Sequence, residues 1–163
     1  MSDFEITVLV LSEHEAFRRK FEVLPDAEEL PTAWAELAAA LEVHAVAEEQ
    51  LLYPLLAHTG KDGAAESDEA VREHNDIRHA VREVEAQQIG AQAWWQAVRA
   101  AQAANAAHMA DEEREFLPDF KAAVPDEQRE ELGMRWLEFH DQHQDGDGLS
   151  GADADPRAVS DAS

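Results

Sequence analysis

Two stretches, HAVAEEQLLYP (residues 44–54) and HMADEEREFLP (108–118), carry one chemistry-bearing pattern. Each reads His-x-x-x-Glu-Glu, four further residues and then Pro, and the copies lie 64 positions apart. An imidazole and a carboxylate four residues apart share one helix face, about a turn from each other. A second repeat, EHEAFR (13–18) and EHNDIR (73–78), sets Glu-His-x-x-apolar-Arg 60 positions apart. The order His, then His-x-x-x-Glu-Glu, therefore occurs twice. It reads as two helix pairs related by an approximate two-fold.

The faces that carry these residues are otherwise apolar. His14 follows Val10 and precedes Phe17 and Phe21; His44 and Glu48 follow Trp34, Leu37 and Leu41. His74 leads into Ile77, Val81 and Val84, and His108 and Glu112 follow Trp94, Val98, Ala101 and Asn105. Leaving such ions unpaired among Leu and Phe costs on the order of several kcal/mol each. A positive partner has to compensate. Arg18 and Arg78 lie near register, yet they do not call for four imidazoles. A divalent or trivalent cation does, and it holds the carboxylates ionised and the imidazoles neutral.

Two ions sharing His14, His44, His74, His108, Glu48 and Glu112 would each have two His and a carboxylate, with the carboxylates free to bridge. That donor set, with positions left open, suits non-haem iron that meets small oxidants; manganese stays an alternative. The chain has no cysteine, so thiolate sites, disulfides and a catalytic thiol are excluded. A sulfur-free set of six also argues against structural zinc.

The elements that must position these groups are helices. Punctuation by Pro, Gly and capping residues predicts helices over about 6–24, 31–58, 67–90 and 92–123, with a shorter fifth from Pro125. Ser67 is the expected cap of the third. No stretch alternates with period two, so no strands are expected. The economical architecture is all-α, an antiparallel up-down-up-down four-helix bundle with a short extra C-terminal helix. Residues 1–143 form the expected domain, with its core over 6–123. Residues 144–163, polar and rich in Gly and Asp, read as a disordered acidic tail. Pro54 and Pro118 each follow the seam Glu by six residues and remove a donor to the carbonyl of Gln50 or Arg114. They either kink both helices just beyond the site or bend them around the core.

Composition narrows the partners. Of 163 residues, 36 are Asp or Glu and 13 are Lys or Arg, a formal charge of −23 that repels phosphate backbones and anionic headgroups. Neither nucleic-acid nor membrane-surface binding is expected. The apolar run ITVLVL is too short for a signal peptide or a span, which makes cytoplasmic the simplest location.

Glu13-His14, His44-x-x-x-Glu48-Glu49 with Tyr53-Pro54, Glu73-His74, and His108-x-x-x-Glu112-Glu113 with Leu117-Pro118 together resemble the hemerythrin-like, HHE cation-binding domain family over about residues 6–123. The resemblance implies a four-helix bundle around two iron ions joined by an oxo or hydroxo bridge and two carboxylates. It implies that the protein binds or reacts with dioxygen, hydrogen peroxide or nitric oxide, or senses oxygen and iron. By matching position, the ligands would be His14, His44, Glu48, His74, His108 and Glu112, with Glu113 as the alternative to Glu112. The chain departs from the oxygen carriers at Arg78, where they place a further His. That substitution weakens a pure carrier role and leaves room for water, peroxide or another protein ligand, and it makes catalase- or peroxidase-like activity conceivable.

Each of these residues also has a plainer reading. One seam His alone is more simply a core histidine bonded to a carbonyl. Tyr53 is a candidate ligand, but packing as a helix-end aromatic is the simpler role. Glu13, Glu49, Glu73 and Glu113 either sit exposed or orient imidazoles. His58, His140 and His143 fall outside the register and read as surface, and His79 as partly exposed. The tryptophans read as packing residues. At the level of function, the alternatives to an oxidant-binding di-iron protein are an iron- or oxygen-sensing module whose metal occupancy controls a protein partner, and a metal-free acidic helical module.

Overall fold

The computed structural model describes residues 3–162, and among them every regular element is helical. Helix α1 (Ile6–Val23) starts where the Glu5 carboxylate accepts the Val8 amide at 2.9 Å, and it ends at a 3₁₀ turn through Pro25. Helix α2 (Leu30–Leu51) has Pro31 in its first turn, where a missing N–H leaves no bond unmade.

The helix expected over 31–58 breaks at Leu52 (φ −108°, ψ −53°) and resumes as α3 (Tyr53–Thr59), with Pro54 as its second residue. Pro118 is handled differently. Helix α5 (Gln92–Asp111) widens into a π-helical turn over Glu112–Phe116, closed by the Leu117 amide on the Glu112 carbonyl, and α6 (Leu117–Ala123) follows. A π turn absorbs one extra residue and so re-phases the helix without ending it. The two prolines are equivalent in sequence but have different local consequences.

Helix α4 (Gly63–Glu85) starts four residues before the expected cap. Ser67 is buried inside it and meets the Ser160 hydroxyl at 3.1 Å. The reason is Gly63, where a Cβ would lie 1.8 Å from the Leu56 carbonyl oxygen. Only glycine lets α4 turn back directly onto α3. The fifth predicted helix is α7 (Asp126–Gln142), which packs along α1.

Two apolar clusters sandwich the polar seam. One gathers Val10, Val43, Ala47, Val71, Phe116 and Trp136, and the other Phe17, Leu41, Val84, Trp94 and Met109. On each seam helix the histidine falls between a residue of the first cluster and a residue of the second. That position gives the seam an apolar wall on two sides.

The expectation of a disordered tail is corrected over 144–162. A 3₁₀ turn (Gln144–Gly146) lies against α2, and helix α8 (Pro156–Asp161) lies against α4 and α3. Leu149, Ala154 and Val159 pack onto the first cluster, while Asn75 bonds both the amide and the carbonyl of Ala154 at 2.9 and 2.8 Å. Overall polarity hid three apolar residues spaced five apart, which are enough to dock a short segment. Ser163 lies outside the described residues. Among those residues, no helix is long and apolar enough to cross a membrane.

Candidate metal centre

The six seam residues converge. His14, His44, Glu48 and Glu112 each offer an atom within 4.8 Å of the others, and Glu48, His74 and His108 form a second such group. Glu48 belongs to both, and Glu112 reaches the second through a 3.6 Å approach of its Oε2 to His108 Nε2. Glu48 and Glu112 have no solvent exposure, and the four imidazoles are buried.

Behind each imidazole stands a carboxylate. His14 Nδ1–H donates to Glu113 at 2.6 Å and His74 Nδ1–H to Glu49 at 2.7 Å; His44 Nδ1–H donates to Glu13 at 2.9 Å and His108 Nδ1–H to Glu73 at 2.8 Å. The halves exchange partners under the approximate two-fold, which explains both the Glu-Glu and the Glu-His doublets. Neighbouring residues on a helix differ by about 100°, so one member of each doublet enters the seam while the other faces the adjacent helix. Holding Nδ1–H this way fixes the tautomer and aims every Nε2 inward. Of the two alternatives at 112 and 113, Glu112 enters the seam and Glu113 backs His14.

A cationic layer completes the pattern. Arg18 donates to Glu113 at 2.8 and 3.0 Å, and Arg78 donates to Glu49 at 2.9 and 3.0 Å while also engaging Glu42. Arg78 thus turns away from the seam toward carboxylates, and His79 is exposed.

Among the backing carboxylates the two-fold fails at Glu13. Glu13 also accepts from Trp136 Nε1 at 2.6 Å and sits 3.0 Å from His140 Nε2. Burial alone would raise the Glu13 carboxyl, but bonds from His140 and His44 outweigh it and bring it down to about 2. Its counterpart Glu73 lacks these partners. Burial raises Glu73, and neighbouring Asp111 adds to the rise against the opposing pull of His108, leaving it at about 7. Trp136 packs in the first cluster as its sequence reading expects, but sequence reasoning missed its bond to Glu13 and read His140 as surface from helix register alone. Their i, i+4 spacing put them on one face; only the docking of α7 shows what that face meets.

Tyr53, whose simpler reading was packing, is fully buried with its hydroxyl inside the cluster. It donates to Glu112 in a short bond and lies 3.1 Å from Glu48 Oε1, 3.2 Å from His74 Nε2 and 3.3 Å from His108 Nε2. Burial, and then the charges of Glu112 and Glu48, hold its phenol well above the ordinary value.

The donor set fits a metal ion on its own terms. His44 Nε2 and Glu48 Oε2 are buried and make no hydrogen bond, and the Nε2 atoms of His74 and His108 face each other at 3.1 Å. Buried lone pairs without donors are costly, and a cation relieves all of them together. The buried cluster suits a metal-binding domain.

Comparison with known proteins agrees. The family model described as hemerythrin HHE cation binding domain matches residues 5–120. No curated protein and no solved structure matches the chain. The matched segment holds all six converging donors, Tyr53 and the four backing carboxylates and ends before α7, and the chain belongs to the hemerythrin HHE cation-binding domain family.

Proposed function

We propose that the seam holds two iron ions and that the protein binds or reacts with a small oxidant: dioxygen, hydrogen peroxide or nitric oxide. On this reading, His14 and His44 serve one ion, His74 and His108 the other, and Glu48 and Glu112 lie between. The four long helical stretches carrying them read as an up-down-up-down bundle. The observation that carries the proposal is the pair of buried, unpartnered atoms, His44 Nε2 and Glu48 Oε2, in a cluster whose four imidazoles are each held from behind by a carboxylate. Nitrogen and carboxylate donors without sulfur favour iron or manganese over structural zinc.

When bound, iron would supply open coordination positions and redox equivalents to the oxidant. This chain's residues do the rest. Glu13, Glu49, Glu73 and Glu113 keep the imidazoles aimed inward, and the two apolar clusters wall the seam on two sides. The Tyr53 hydroxyl lies 3.2 and 3.3 Å from the Nε2 atoms of His74 and His108, near enough to serve as an oxygen ligand or to hand a proton to Glu112.

Metal quantification tests the reading. Wild-type protein from iron-replete medium should carry two irons per chain and show ferric charge-transfer absorption that changes with peroxide. The His44→Ala/His108→Ala double variant should lose most of the metal. Equal metal in both proteins overturns the ligand assignment, and a preference for manganese overturns the choice of iron.

A further inference from the structure

A cavity of about 480 Å³ opens between α2 and α4 and ends at His44, His74, His108 and Asn105. A water molecule's share of liquid volume is about 30 Å³, so a diatomic oxidant would leave most of this space unfilled. The volume lies in the range of sites for organic ligands. We propose that the cavity binds a small, neutral, hydroxyl-bearing organic molecule beside the metal centre.

The walls set the ligand's character. Ala38, Leu41, Ile77, Val81 and Leu149 make most of the lining apolar. The cations on the wall are already matched. Arg78 forks onto Glu42 and Glu49, and Arg82 bonds Asp153 and the Gly151 carbonyl at 2.9 and 3.3 Å. Neither is free to attract an anion, which the charge of −23 repels as well. Glu42 is committed to Arg78, and Glu85 and Asp145, the other carboxylates on the lining, are solvent-exposed, where water screens their charge. The buried part of the cavity therefore suits a neutral molecule.

Asn105 supplies the specific contact. Its amide is buried at the inner end, yet it makes a single weak bond, Nδ2 to Met109 Sδ at 3.6 Å. An amide offers two N–H donors and an acceptor oxygen, and a hydroxyl can answer both kinds. The docked tail lines the outer side. Asp145 (φ 56°) and Gly146 (φ 81°) turn through left-handed conformations to bring residues 145–151 over the opening. An organic ligand thus reaches the imidazoles along the face where Arg78 stands in place of a histidine.

The test is ¹⁹F NMR titration of the full-length protein, iron-loaded and metal-stripped, with 4-fluorophenol, fluorobenzene and 4-fluorobenzoate as probes. 4-Fluorophenol should bind saturably, fluorobenzene at least about five-fold more weakly, and 4-fluorobenzoate not measurably. Asn105→Ala should bring 4-fluorophenol down to the level of fluorobenzene. Val81→Trp and Ala38→Phe, two independent plugs, should abolish binding while iron content stays at the wild-type level. Absence of saturable binding, binding that survives both plugs, or a preference for 4-fluorobenzoate overturns the proposal. Iron measured on the same samples keeps this result separate from the metal assignment, because the cavity walls need no ion to form.

Discussion

Without a cation, protons must occupy the seam's place for positive charge, and loading with metal should expel them. Burial by itself pushes the His108 imidazolium down, but Glu112 and Glu48 beside it win and lift it to about 10. His44 is likewise held well above its ordinary value, because Glu48 and Glu13 outweigh the same burial. Glu48, which burial alone would raise, is held well below the carboxylate range by His44 and its neighbours. At neutral pH the metal-free seam therefore carries imidazolium at His108 and, with its value raised, at His44, whereas a ligating imidazole must be neutral. Binding should release about two protons from these two groups, and the logarithm of apparent affinity should climb by about two per pH unit. If Tyr53 ligates as tyrosinate, the count becomes about three, and Tyr53→Phe returns it to two.

Isothermal titration calorimetry in buffers of differing ionisation enthalpy reads the number directly. The sign for the metal-free fold runs the other way. Raised imidazole values stabilise it fully below about pH 6.5, and that contribution is lost as pH rises through about 10. Its melting temperature should fall over that window while that of the loaded protein holds. Metal binding with no proton release, or with affinity flat in pH, would refute the idea that imidazolium pairs substitute for the ions.

Other perturbations separate the supports of the site from those of the fold. Trp136→Phe removes an indole N–H from Glu13 and should weaken metal affinity roughly ten-fold or more with helicity unchanged; unchanged affinity in both this variant and Glu13→Gln would remove α7 from the site. Arg129 donates to Glu5 and Asp126 and to the carbonyls of Lys121 and Val124, both at 2.8 Å, tying α7 to the start of α1 and the end of α6. Arg129→Ala strands Glu5 in a buried position and should cost about 3–5 kcal/mol, roughly 6–20 °C in a thermal melt of a chain this size; a shift under 2 °C would contradict the burial argument. Burial pushes the Glu66 carboxyl up to about 8, and Asp119 beside it adds to the rise. Its contribution is full below pH 4.5 and lost by about 8. Glu66→Gln should therefore match wild type at pH 4.5 and melt higher at pH 9, and equal melting at both pH values would show the group to be solvated.

The amino-acid order by itself determined the seam. The i, i+4 pairs at 44/48 and 108/112 and the flanking apolar residues fix which side of each helix turns inward, because helical phase is a local property of a few residues. Doubling of the pattern likewise implied two related halves. Local phase stops being informative wherever the helix changes pitch. On an unbroken helix Tyr53 would stand about 140° from Glu48, and only the break at Leu52 brings its hydroxyl among the seam's imidazoles and carboxylates. The π turn at Glu112–Phe116 re-phases the other long helix at its matching position, a difference the two equivalent prolines do not announce.

Contacts between elements lay beyond sequence reading for a different reason. That Glu49 backs His74, that Trp136 and His140 hold Glu13, and that the polar tail lines a cavity are statements about distances between segments up to 127 residues apart. Periodicity supplies the angle of a side chain about its own helix, and only packing supplies what waits at that angle.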